Sequence, residues 1–106
     1  MPKYLFEASY TAEAAQGLRK SGAAGRTKVV QDMCSQLGGT LESLHFAFGD
    51  VDVFVICDLP DDTSAAALSF AVSSSGTVGV KTVKLLTPAE VDEALGRSVT
   101  YRPPGT

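Results

Sequence analysis

The chain carries one histidine, His45, inside its most apolar stretch, LHFAFGDVDVFVICDLPDD at 44–62. Imidazole exchanges protons near neutral pH, so this ring is the first candidate for a general base. Asp52 and Asp58 interrupt the same stretch, and Glu7 stands mid-strand in KYLFEASY at 3–10. A carboxylate that becomes covered requires a partner or a raised pKa. With Glu7 or Asp52 orienting it, His45 is suited to deprotonating an acidic carbon or a phenol in an apolar cavity. Ser43, Asp52, Phe54 and Lys81 are the candidate ligand-binding residues around it. Each has a plainer alternative. His45 can hydrogen-bond across a subunit interface, Asp52 can close the hairpin end, and Glu7 can pair with Lys81. Asp58, at a strand end, is expected to be solvated.

The elements that must position these residues follow from periodicity. Tyr4, Phe6, Ala8 and Tyr10 alternate with Leu5, Glu7 and Ser9, as in a half-buried strand. Thr11 caps a helix that meets a glycine-rich break, RKSGAAGR at 19–26, and resumes with Val29, Val30, Met33, Cys34 and Leu37. Gly38 and Gly39 end it. A hairpin follows, Thr40–Phe48 and Val51–Asp58, around Gly49-Asp50. Asp61 or Asp62 caps a helix carrying Ala65, Leu68, Ala71 and Val72. Thr77–Leu86 is the fourth strand. TPAE at 87–90 starts a third helix, with Val91 and Leu95 as its buried side. The order β-α-β-β-α-β-α predicts an α+β fold, a ferredoxin-like split β-α-β sandwich with both main helices on one face of an antiparallel sheet. Residues 1–96 make one domain, and 97–106 are an arm or a frayed tail.

A two-residue hairpin loop sets Phe46 opposite Val53, Leu44 opposite Val55 and Glu42 opposite Cys57, on the face under the helices. His45 with Phe54, Ser43 with Ile56, Ala47 with Asp52 and Leu41 with Asp58 then share the other face. Leu5 and Glu7 join them, as do Lys81, Val83 and Leu85. A mixed-apolar sheet face of that size marks an interface. The expectation is a homodimer or higher homo-oligomer, packed sheet to sheet as a dimeric α+β barrel, with the polar residues lining the remaining space.

Composition narrows the functional classes. Net charge is −3 and the pI is about 4.9. No basic cluster exceeds Arg19-Lys20, which argues against nucleic-acid partners. There is no membrane-length apolar run and no signal-peptide pattern, so the expected location is cytoplasmic and Cys34 and Cys57 are expected reduced. Two cysteines and one histidine without close spacing make a poor zinc set, so no metal and no cofactor are expected. KSGAAGR lacks the ending of a phosphate-binding P-loop and reads as a surface bend. Removal of Met1 would expose Pro2 as a tautomerase-like amine, but this element order exceeds the short tautomerase unit.

MPKYLFEASYT, the break KSGAAGR, FAFGDVDVFVICDLPD and LLTPAEVDEAL together resemble the GYD-domain proteins, over most of residues 1–96. Of the Gly-Tyr-Asp signature, Gly49 and Asp52 match, and Val51 stands at the aromatic position. The resemblance implies a ferredoxin-like subunit and a barrel dimer, and it carries over no catalytic residue. Proteins of that barrel type include heme-free monooxygenases, isomerase-like and dehalogenase-like proteins and effector-binding modules. The expected function is binding of a small, partly apolar ligand, with cofactor-free acid–base chemistry by His45 and Glu7 if turnover occurs. The alternative is a non-catalytic ligand-sensing or structural oligomer.

Overall fold

The structure, a computed structural model, describes residues 1–106. Its elements are β1 (Lys3–Tyr10), α1 (Ala12–Gln36), β2 (Thr40–Phe46), β3 (Val53–Asp58), α2 (Asp62–Ser73), β4 (Val78–Leu85) and α3 (Pro88–Leu95). The four strands form one antiparallel sheet in the order β2-β3-β1-β4. The two edge strands are therefore β2 and β4.

The alternation in the sequence decides which face α1 and α2 cover. Tyr4, Phe6, Val53, Val55 and Cys57 point under them and meet Val30 and Cys34 of α1 and Ala65 and Leu68 of α2, with Leu59 completing the core. The caps are those the sequence predicts. The Thr11 hydroxyl accepts from the Ala14 amide, the Asp61 carboxylate accepts from the Ser64 amide, and Thr87 and Glu90 form a reciprocal capping box. The glycine-rich break is a kink within α1 at Gly22, whose φ of 78° and ψ of 163° suit only glycine. Gly39 is needed for a different reason. A Cβ there would sit 2.2 Å from the Asp58 carbonyl oxygen and 2.7 Å from a Leu59 methyl. No helix is long and apolar enough to cross a membrane.

Four expectations are corrected. The hairpin strands are shorter than Thr40–Phe48 and Val51–Asp58. The Ala47 amide still donates to the Asp52 carbonyl, so the loop proper spans 48–51. The pairing of Phe46, His45, Leu44 and Ser43 holds, but beyond Ser43 the strand bulges, and Leu41 rather than Glu42 opposes Cys57. A regular ladder would have put the Glu42 carboxylate under the helices without a partner. The extra residue turns Leu41 inward and lets Glu42 reach Lys3. Asp58 is not merely solvated, because it also holds Lys3, at 2.8 Å. Finally, Val91 and Leu95 are not buried. They are 41% and 77% exposed, and α3 buries none of its residues.

Candidate functional site

The face left bare by the helices carries its side chains in rows across the sheet. In one row His45 of β2 opposes Phe54 of β3, Phe54 opposes Glu7 of β1, and Glu7 opposes Lys81 of β4. Directly opposed residues share a face, so all four project from the bare side. The next row is Ser43, Ile56, Leu5 and Val83. Beyond it, Asp58 opposes Lys3 and Lys3 opposes Leu85. The Lys3 ammonium is held there by Asp58 and Glu42, and those hydrogen bonds, Asp58 first, raise its pKa. A polar row, a mostly apolar row and a charged row thus lie side by side.

Within the first row the groups are spaced rather than clustered. Strands lie about 4.8 Å apart, so His45 and Glu7 are about 10 Å apart with the Phe54 ring between them. Glu7 and Lys81 oppose one another but form no ion pair. Ser43 stands one row away, beside Ile56. Asp52 is engaged elsewhere. Its carboxylate accepts from the Tyr10 amide at 2.7 Å, and its own amide donates to the Ala8 carbonyl at 2.8 Å. It ties the hairpin end to the last turn of β1, where α1 is about to start. None of the five principal cavities of the subunit is lined by His45, Phe54 or Glu7.

A second polar cluster lies on the helix side and was not singled out from sequence. The Tyr4 hydroxyl, on a side chain with 2% exposure, donates to the Asp62 carboxylate at 2.5 Å, and Lys84 reaches the same oxygen at 3.0 Å. Burial and the Asp62 contact push the Tyr4 phenol up to about 12. The hydrogen bonds from Tyr4 and Lys84 hold Asp62 below the usual carboxylate range. A shallow cavity of about 330 Å³ adjoins the cluster, walled by Ala65, Ala66 and Phe70. The register offered the signal, since Tyr4 lies opposite Lys84 and an Asp-Asp pair opens the next helix. Deeper in the core, the thiols of Cys34 and Cys57 lie 3.1 Å apart and fully buried. Their hydrogen bond and the apolar surroundings push the Cys57 thiol well up, so it stays protonated.

A four-stranded antiparallel sheet in this order, with two helices on one face, defines the ferredoxin-like α+β class. Residues 4–95 match the family model described as GYD domain. The chain belongs to that family. No curated protein and no solved structure matches it.

Proposed function

We propose that two copies of the chain pack open face to open face as a dimeric α+β barrel, and that the space between the sheets holds a small, partly apolar ligand. The observation that carries this reading is the row His45–Phe54–Glu7–Lys81, drawn from all four strands on the one uncovered face. Leu5, Ile56, Val83 and Leu85 supply the apolar surface that a second sheet would remove from water. One aromatic ring fits the roughly 10 Å between the His45 and Glu7 strands, stacking on Phe54. The chemistry such a site supports is transfer of a proton from a phenol or an acidic carbon to the His45 imidazole, with Glu7 and Lys81 at the far end of the row.

A second reading rests on Phe54 itself. If its ring fills the space between His45 and Glu7 in the assembly, the face is an interface alone and the protein a structural oligomer.

Sedimentation equilibrium with 4-nitrophenol as probe separates these readings. The expected species has twice the 11.0 kDa subunit mass. Binding is expected to move the single histidine resonance and raise the coloured phenolate fraction, and His45→Gln is expected to abolish the colour change while leaving the dimer intact. A dimer indifferent to millimolar 4-nitrophenol supports the structural reading. A monomer at micromolar concentration sinks both.

A further inference from the structure

The segment from Leu86 to Thr106 has little to pack on within its own subunit. Helix α3 is properly started, with Pro88 in its first turn and the capping box of Thr87 and Glu90 behind it. It has only eight residues, and a helix that short is marginal in water unless another surface covers it. No other element packs closely on it. Leu86, Val91, Leu95, Val99 and Tyr101 are all exposed. The radius of gyration is 16.9 Å and the long axis 56 Å, whereas a compact domain of this length has a radius near 13 Å. Folding back is opposed by the connection. Only Leu86 and Thr87 separate β4 from α3, and the capping box with Pro88 sets the direction of the helix at its first turn.

We propose that this arm clasps a second copy of the chain, laying its apolar side chains along the margin of the partner's open sheet face and closing the rim of the inter-sheet space. This rests on the face-to-face reading above. Three observations favour a second copy as the occupant. The first is where the arm begins. A groove of about 560 Å³ at its root is lined by Lys3 and Leu85, which project from the open face, together with Met1, Leu86 and Pro88. The arm therefore leaves from the edge of the surface that would meet the partner. The second is area. Five apolar side chains at roughly 100 Å² each give roughly 500 Å² per arm. In a two-fold dimer each copy gives one arm and receives one, so the clasp involves roughly 1,000 Å² per copy, enough beside the roughly 800 Å² of an ordinary stable interface. The third is charge. Asp92 of α3 has no ion-pair partner, and Lys81 is the one lysine on the open face without one.

Mixed dimers of the full chain test the clasp. One copy carries a spin label on Ser98→Cys, and the other is ¹⁵N-labelled without it. Cys34 and Cys57 are fully buried, which directs the label to the new thiol. Broadening of Lys81 and Val83 amides in the ¹⁵N copy is the expected result. A dimer with no such broadening, or with broadening only inside a chain carrying both labels, overturns the clasp and leaves face-to-face packing standing. A monomer overturns both. Val91→Ser with Leu95→Ser, at exposed positions that leave the subunit folded, removes four apolar side chains from the two-fold dimer and is expected to raise the dimer dissociation constant by at least about 30-fold. An unchanged constant also overturns the clasp.

Discussion

Replacing Tyr4 by phenylalanine tests the tie between β1, α2 and β4. The ring stays buried, so the packing is kept, and only the hydroxyl that donates to Asp62 is lost. A hydrogen bond to a charged group contributes about 1.5–3 kcal/mol. The Asp62 side chain is 73% exposed and keeps Lys84, so water can replace the phenol. The expected cost of Tyr4→Phe is therefore about 1–1.5 kcal/mol, at or below the bottom of that range. Tyr4→Ala also empties the core position and should cost about 3–5 kcal/mol. For a domain of this size each kcal/mol lowers the melting temperature by roughly 4–8 °C.

The pH dependence is the sharper readout. The folded phenol titrates at about 12, above its ordinary value of 10.0. Below pH 10 both folded and unfolded chains hold the proton, and the contribution is fully present. Between 10 and 12 the unfolded chain releases the proton while the folded one retains it, so stability falls as pH rises. Lys3, also raised, adds a decline of the same sign above its ordinary value of 10.5 in both proteins. Urea denaturation from pH 8 to 12 should show a steeper alkaline loss in wild type than in Tyr4→Phe. Equal slopes would mean that the Tyr4 hydroxyl is not held in the folded state, and the account of this cluster would be wrong.

Two further outcomes test the sheet. Gly39→Ala forces a Cβ against the Asp58 carbonyl oxygen and the Leu59 side chain, and should lower the unfolding free energy read from urea denaturation by about 1–3 kcal/mol or more, because backbone must move. Phe6→Ala, at a 3%-exposed core position, should cost about 3–5 kcal/mol. Phe46→Ala, on the same face of the sheet but 41% exposed at the hairpin end of an edge strand, should cost roughly half as much by denaturant melts. Equal losses would place Phe46 under cover that the single subunit does not provide.

Much of the fold was legible along the chain because its signals are local. A capping residue and the first turn it caps are three positions apart, as Thr11, Asp61 and Thr87 show. Period-two alternation in KYLFEASY decided which side of β1 goes inward, and the turn at Gly49 fixed the register nearby. That was enough to place His45, Phe54, Glu7 and Lys81 on one face. The bulge was not read: the straight ladder expected from sequence set Glu42 beside Cys57, where Leu41 stands.

Other features depend on which distant residues meet. The pairing of Lys3 with Glu42 and Asp58, and of Tyr4 with Asp62, joins residues more than 38 positions apart, and Lys84 reaches Asp62 only because β4 lies beside β1 in the β2-β3-β1-β4 order. Asp52 reads as a candidate ligand-binding carboxylate in sequence, and only the folded chain shows the Tyr10 amide already donating to it. The apolar stripe of α3 is the clearest case. Val91 and Leu95 have the spacing of a buried helix face, but spacing states only that a face wants cover. Whether the chain's own core provides it depends on where the preceding strand ends and which way the helix leaves, and here β4 sends α3 away from the core that the other two helices share.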